Sequence, residues 1–223
     1  MCAVYAAAPV LETLGIHVLS TDEMTGIQAL ERAAPTLPMR PGTVERREFE
    51  YIRHGTLSLI ANVAVATGQV VSPSIGPTRT EADFAAHIAH TVAADPAATG
   101  FIFLVDQLNT HQSESLVRIV AQVEGYAGHL GVKGASGILH SMTSRAAFLS
   151  DPGRWIQFVS LPTHTSWLNQ ISIWFSILAR PLLNRASFTS TEDRRDRTLD
   201  VIAYANRHAT PVRWTSTGRH LGA

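Results

Sequence analysis

Three short apolar runs predict buried strands. Residues 15–20 are apolar with β-branched side chains, and residues 100–105 are apolar without alternation, as expected for a strand covered on both faces. Residues 155–161 predict a third such strand. Asp22 follows the first run closely and Asp106 follows the second directly, so an acid marks the C-terminal end of two predicted strands.

Apolar or alternating segments around Gly55 and Gly68 predict an antiparallel meander joined by tight turns. The expected strands are residues 48–53, 56–66 and 69–75. Residues 31–42 precede them and contain three prolines, which predict an extended loop.

Apolar residues at helical spacing predict five helices. Thr80 and Ser113 are the expected N-caps of the first two. The helices are expected at residues 80–94, 113–125, 143–149, 167–179 and 191–208. Together the elements predict an α/β domain over residues 1–209, with a mixed sheet of a three-strand antiparallel meander plus parallel strands, flanked by helices. Residues 210–223 are expected to form an irregular tail.

The composition points to no particular partner. The 223 residues carry a net charge of zero and only 16% are charged, so no global field favours nucleic acid or a membrane. The single cysteine, Cys2, excludes an internal disulfide and fits a reducing cytoplasm. No apolar stretch reaches the roughly 18 to 20 residues of a membrane span. We therefore expect a soluble cytoplasmic protein.

Asp22 and Asp106 are the first candidates for a functional site. The predicted topology allows their strands to lie side by side, so both carboxylates could meet at the sheet edge where open α/β sheets usually carry sites. Two hard oxygen ligands there would suit Mg²⁺. The alternative is that each acid caps a turn near a strand end, and spacing alone favours this alternative.

Three local blocks of sequence favour the metal-site interpretation over turn capping. Residues 105–111 (VDQLNTH) and 164–175 (HTSWLNQISIWF) resemble the second and third signature blocks of mariner-related insertion-sequence transposases, the six-thirty group. Residues 20–28 resemble the first block, and the similarity extends over residues 41–51, 76–84 and 188–204. The resemblance implies a bacterial DDE-type transposase catalytic domain with a ribonuclease-H-like fold.

The resemblance also implies the chemistry and its residues. Three acids of the family hold two divalent ions, Mg²⁺ or Mn²⁺, for DNA phosphodiester cleavage and strand transfer at transposon ends and target. Asp22 matches the first acid and Asp106 the second. Asn109 and His111 belong to the second block and would orient Asp106 or contact DNA, although a histidine near a strand end is more often structural.

The third acid is where the sequence departs from the family. Ser172 occupies the glutamate position, and a neutral hydroxyl lacks the charge that helps to hold a second Mg²⁺. Asn169 shares the helix face of Ser172 but is a neutral, weaker ligand. Glu23 adjoins Asp22, but strand alternation would point it to the other side of the sheet. Weak or absent activity is therefore expected, so whether the chain is an active enzyme stays open.

Two further departures bear on function. Pro181 falls where the family continues a helix, which predicts a kink or an early end, or a helix that stops at Ala179. Family members carry N-terminal helix-turn-helix modules, and here the first acid is already residue 22, so those modules are expected to be missing. The chain is then either an impaired transposase or an inactive remnant that binds DNA or an intact transposase and regulates it, and a homodimer is also open.

Two groups of side chains have structural and DNA-binding interpretations. The aromatic residues Trp167, Trp174 and Phe175 are expected in the core rather than as platforms for DNA bases. Arg194, Arg195 and Arg197 are expected on a solvated helix face rather than along a phosphate track.

Overall fold

The computed structural model describes residues 2–46, 48–162, 168–183, 186–211 and 214. Its elements in chain order are α1 (Cys2–Thr13), β1 (Ile16–Arg32), β2 (Tyr51–Ala64), β3 (Val70–Gly76), α2 (Glu81–Ala93), β4 (Gly100–Val105), a 3-10 turn (Asn109–Gln112), α3 (Glu114–Val123), α4 (Met142–Leu149), β5 (Ile156–Ser160), α5 (Gln170–Leu183) and α6 (Thr191–Arg207).

The five strands form one mixed sheet in the order β3-β2-β1-β4-β5. The strands β1, β2 and β3 pair antiparallel, whereas β4 runs parallel to β1 and β5 runs parallel to β4. This order and these directions, with helices against both faces, confirm the α/β fold and the ribonuclease-H-like arrangement expected from the resemblance.

The first strand is much longer than its apolar run predicted. It continues past Ser20 to Arg32 and pairs with β2, so β1 is itself the first strand of the meander and residues 48–50 are not in a strand. Asp22 therefore lies within β1, opposite Ala61, rather than at a strand end. What ends near Asp22 is the parallel pairing with β4, whose last residue is Val105.

Of the two glycines expected in turns, only Gly68 is in one. Gly68 has a φ of 75°, in the left-handed region, and a Cβ there would lie 2.2 Å from the Thr210 carbonyl oxygen. Gly55 lies inside β2 beside an irregularity in the pairing with β1, where its φ of 149° and the contact with Thr191 favour glycine. The expected turn at Gly55 was wrong, because glycine is favoured in strand bulges as well as in turns and the sequence does not distinguish the two.

Local capping explains the helices that were predicted well. Thr80 and Asp83 form a reciprocal capping box at the start of α2, and Ser113 accepts from the Leu116 N–H at the start of α3.

The helix α1 was not predicted, because its apolar run contains Pro9 and lacks a polar cap. The helix α5 continues through Pro181 to Leu183, so the early end expected at Ala179 was wrong.

The helices cover the two faces of the sheet. One core lies under α2, α3 and α4 and includes Leu19, Phe84, Ile88, Phe103 and Leu116. The opposite core lies under α5 and α6 and includes Ile27, Leu59, Ile171, Phe175 and Ile202. Tyr5 of α1 packs with Val18 and Leu104. Within the described ranges, no helix is long and apolar enough to cross a membrane.

Most of the predicted tail lies outside the described residues. Trp214 is an exception, and its ring stacks on Tyr5 with the centroids 4.4 Å apart. The boundary at residue 209 and the irregular tail remain predictions. Residues 164–167 of the third block, Trp167 among them, also lie outside the described residues.

Candidate active site

Parallel pairing brings Asp22 level with Asp106. The register that aligns Ser20 with Leu104 reaches these two acids when it is continued by two residues. Burial, and then the negative charges of Asp106 and Glu23, raise the pKa of Asp22 to about 7. Two ionised carboxylates repel each other, and a hard cation bound between them would relieve this repulsion. The pairing therefore brings Asp22 and Asp106 to neighbouring positions, and their role as metal ligands stays a prediction.

Asp106 is held by two donors on one of its oxygens. Its Oδ1 accepts the backbone N–H of Leu108 at 2.9 Å and lies 2.8 Å from Nδ1 of His111. The hydrogen bond from His111 keeps the pKa of Asp106 below its usual range. Asp106 is thus the ionised member of the pair, whereas Asp22 is the harder of the two to ionise.

His111 reaches Asp106 because the 3-10 turn after β4 folds back under the strand. Its ring is fully buried and contacts the ring of Phe84, with the centroids 4.4 Å apart. The second ring nitrogen, Nε2, lies 3.2 Å from Oε2 of Glu23. Burial alone would lower the pKa of His111, but the bonds to Asp106 and Glu23 outweigh it and raise the pKa to about 10. His111 is therefore a cation between two carboxylates.

Glu23 lies on the other face of the sheet from Asp22. Thr21 bonds Asn62 on the α2 side of the sheet, and Glu23, two residues later, bonds His111 on the same side. The Glu23 side chain is only 2% exposed. Glu23 is consequently engaged away from the face of Asp22, in agreement with the strand alternation, and does not stand in for the third acid.

Asn169 joins the start of α5 to β1. Its Oδ1 accepts from the Ser20 hydroxyl, and its Nδ2 donates to the Thr21 carbonyl at 3.1 Å. The side chain is fully buried. Because both ends of the amide form hydrogen bonds with β1, Asn169 ties the start of α5 to this strand.

Ser172 follows Asn169 by one helical turn. Its N–H donates to the Asn169 carbonyl at 3.0 Å, so the two residues share the helix face that meets β1. In the described part of the chain, no group of three or more histidine, cysteine or acidic side chains could hold a metal ion. Asp22 and Asp106 are carboxylates, the ligand type that a hard cation prefers, but a third carboxylate grouped with them is not found among these residues.

The remaining candidates are divided between surface and core. Asn109 is exposed at the start of the 3-10 turn, while Phe175 is buried under α5 as expected.

Arg194 is only 2% exposed and its guanidinium lies 4.2 Å from the centre of the Phe188 ring, so the expected solvated position was wrong for this residue. Burial lowers the pKa of Arg194 to about 10. Arg195 and Arg197 are exposed, as expected.

This chain is similar to known proteins both in sequence, through a family profile, and in structure. The profile of a family described as DDE superfamily endonuclease matches residues 17–195. No protein of curated function matches significantly. Among solved structures, the Mos1 transposase paired-end complex with left transposon end is 12% identical, with 92% of this chain and 58% of that chain covered and a TM-score of 0.36.

Two other Mos1 mariner paired-end complexes, one with Mn and one with Mg, are also 12% identical. Their TM-scores are 0.33 and 0.30, with 92% and 91% of this chain and 60% and 62% of those chains covered. The chain therefore spans about three fifths of the length of these structures. Because the family match covers most of the chain and includes both Asp22 and Asp106, the chain belongs to the DDE superfamily endonuclease family.

Proposed function

We propose that this chain is the catalytic domain of a DNA transposase of the bacterial insertion-sequence type, in the mariner-related six-thirty group. Its ancestral reaction is phosphodiester cleavage and strand transfer, with transposon ends and target DNA as partners. The observation that carries the proposal is the position of Asp22 and Asp106, each two residues beyond the last pair of the parallel strands β1 and β4, within a family-matched domain.

Asp22 and Asp106 would hold a divalent ion, Mg²⁺ or Mn²⁺. Such an ion supplies Lewis acidity for the attack of a water or a 3′ hydroxyl on the phosphodiester. The bonds to His111 and Leu108 favour the ionised form of Asp106, whereas burial, and then the negative charges of Asp106 and Glu23, raise the pKa of Asp22. The chain's own residues thereby prepare a negatively charged position for the metal.

Ser172 is proposed to impair the reaction. Loss of an outer residue that merely supports a metal ligand typically weakens binding or activity 10- to 100-fold, so loss of a ligand itself should weaken them more. The proposal is supported by the contacts of the two possible substitutes, since Asn169 bonds Ser20 and Thr21, and Glu23 bonds His111.

A nicking assay on supercoiled plasmid DNA with Mg²⁺ or Mn²⁺ tests this function. We expect little or no nicking by the wild type and at least a tenfold gain for Ser172→Glu. The variant Ser172→Glu/Asp106→Asn is the matched control and should lose that gain. A folded, metal-binding Ser172→Glu protein that does not nick DNA would contradict the assignment of this site.

An inactive regulator is the second candidate function. It is favoured by Ser172 in an otherwise well-packed domain, because a protein that only binds DNA or an intact transposase needs no third acid. Adding this chain to reactions of an active relative should then lower transposition as the ratio rises. Unchanged transposition at every ratio would exclude such a regulator.

A further inference from the structure

A chain of three side chains, of which Glu23 and His111 are buried and Asp106 is half-buried, connects the two faces of the sheet. Glu23 contacts Nε2 of His111 at 3.2 Å, and Nδ1 of the same ring contacts Oδ1 of Asp106 at 2.8 Å. The Glu23 side chain is 2% exposed and the His111 side chain is fully buried. The ring therefore has both nitrogens in contact with carboxylates and no route to water that would replace either partner.

The arrangement fixes the orientation of the Asp106 carboxylate. Its Oδ1 accepts the Leu108 backbone N–H and lies 2.8 Å from Nδ1 of His111, which is also 3.2 Å from the backbone carbonyl oxygen of Asp106. Its Oδ2 has no donor among the described residues that contact it, and is the oxygen left for a ligand. The contacts of Leu108 and His111 with one oxygen restrict the rotation of the carboxylate beside Asp22.

Glu23 is what keeps the ring in this position. Without a partner, Nε2 of His111 would be a buried polar atom with no hydrogen bond, an arrangement that proteins avoid. Carboxylate oxygens lie beside both ring nitrogens, so Nε2 faces Glu23 while Nδ1 faces Asp106. Carboxylate–imidazole pairs of this kind commonly orient groups around metal sites.

We propose that Glu23 is a positioning residue of the active site, acting through His111 to hold Asp106 with one oxygen engaged and the other available to a divalent cation. The inference rests on the proposed function, since it takes Asp106 as a metal ligand. Glu23 itself contacts neither the cation nor DNA, because it lies on the opposite face of the sheet. Its effect is therefore on metal affinity rather than on a reacting group.

Binding of Mn²⁺, measured by calorimetry and by the electron paramagnetic resonance of the ion, tests the proposal without any need for activity. We expect Glu23→Gln to weaken Mn²⁺ binding about tenfold, the lower end of the range for residues that support a ligand. Glu31→Gln is the matched control, because Glu31 is on the same strand and contacts His54 at 2.7 Å, remote from Asp106. The Glu31 variant should bind Mn²⁺ as the wild type does.

A double-variant comparison separates positioning from a general loss of structure. Since Glu23 acts through His111, the combination Glu23→Gln/His111→Gln should bind Mn²⁺ no more weakly than His111→Gln alone. Fully additive losses would overturn the proposed route through the ring. Circular dichroism and thermal unfolding identify any variant that has not folded.

If Glu23→Gln does not fold, Glu23→Met/His111→Phe removes both polar groups together. Replacing a buried pair by apolar side chains of similar size is often neutral for stability. This variant is also expected to bind Mn²⁺ about tenfold more weakly. Unchanged affinity in either folded variant overturns the positioning role.

Asp106→Asn distinguishes a failure of the proposed metal site from a failure of the proposed role of Glu23. If that variant binds Mn²⁺ as the wild type does, the proposed metal site itself is wrong. If Asp106→Asn loses binding while the Glu23 variants retain it, the metal site stands and only the role of Glu23 is overturned.

Discussion

The side-chain amide of Asn169 donates to the backbone carbonyl of Thr21 at 3.1 Å, and so ties the start of α5 to the residue before Asp22. The same amide accepts from the Ser20 hydroxyl, whose oxygen also accepts the N–H of Ile171 at 3.1 Å. The helix that carries Ser172 is thereby fixed to the strand that carries Asp22, which gives the candidate site its rigidity.

Replacing Asn169 by alanine is expected to destabilise the domain by roughly 2 to 4 kcal/mol, because it removes the acceptor of the buried Ser20 hydroxyl and a donor to the buried Thr21 carbonyl. Urea unfolding measures the change in the free energy of unfolding. Asn109→Ala is the control, since Asn109 is exposed and its loss should change stability by less than about 0.5 kcal/mol. Equal effects at the two positions would contradict the structural role of Asn169.

The variant Ser172→Glu should behave differently with and without metal. A third carboxylate on the face of Asp22, whose pKa is already raised to about 7, adds repulsion in a partly buried site. We therefore expect a lower melting temperature than the wild type in the presence of a chelator. Added Mn²⁺ should raise the melting temperature more in this variant than in the wild type, because a ligand that binds only the folded state stabilises it.

Calorimetry of the same variant should show more bound Mn²⁺ per chain than the wild type. Ser172→Gln is the matched control, because it adds similar bulk without charge and should gain neither binding nor the larger thermal shift. A Ser172→Glu protein with wild-type stability in chelator and no additional Mn²⁺ binding would place residue 172 away from Asp22.

His17 should stabilise the fold most strongly at mildly acidic pH. Its ring lies 3.1 Å from Glu12 and 2.9 Å from Asp95, which joins α1 to the segment before β4. Burial lowers the pKa of His17, but the bonds to Asp95 and Glu12 outweigh it, so the pKa is raised above its usual value. A raised folded-state pKa means that the stabilisation is fully present below about pH 6.5 and is lost as the pH rises through the folded-state value.

Unfolding free energies of the wild type and His17→Gln, compared from pH 5.5 to pH 9, test this sign. The difference between the two proteins should be largest at pH 5.5 and shrink as the pH rises. A difference that grows with pH would mean that the carboxylates do not hold the protonated ring.

His87 should have the opposite effect. It is almost fully buried beneath the sheet, with Nδ1 2.8 Å from the Ser74 hydroxyl, and burial lowers its pKa to about 3. The folded protein therefore keeps His87 neutral while the unfolded chain takes up a proton below about pH 6.5. Stability is lost as the pH falls, by up to about 1.4 kcal/mol per pH unit until the folded-state value is approached.

Comparison of the wild type with His87→Leu isolates this contribution, because the other titrating groups are common to both proteins. Between pH 7 and pH 4.5 the wild type should lose stability more steeply than the variant. Parallel pH profiles would show that the ring is protonated in the folded state.

Local signals made much of the fold predictable. Capping residues such as Thr80 and Ser113 act within one turn, and they located α2 and α3 closely. The apolar run of β4 was long enough to define a buried strand with an acid just beyond it. The two-residue period of an extended chain also separated Asp22 from Glu23, because it fixes which face each side chain takes.

The tertiary structure decided what depends on distant partners. The length of β1 follows from its pairing with β2. The hydrogen bond between Asn169 and Thr21 joins residues that are 148 positions apart in the chain. The contact of Glu23 with His111 likewise spans 88 positions and arises only when the turn after β4 folds under the sheet. The sequence by itself determined the acids, their faces and most of the elements, because those depend on neighbours in the chain. The surroundings of each acid were decided only by packing, because burial and long-range hydrogen bonds exist only in the folded state.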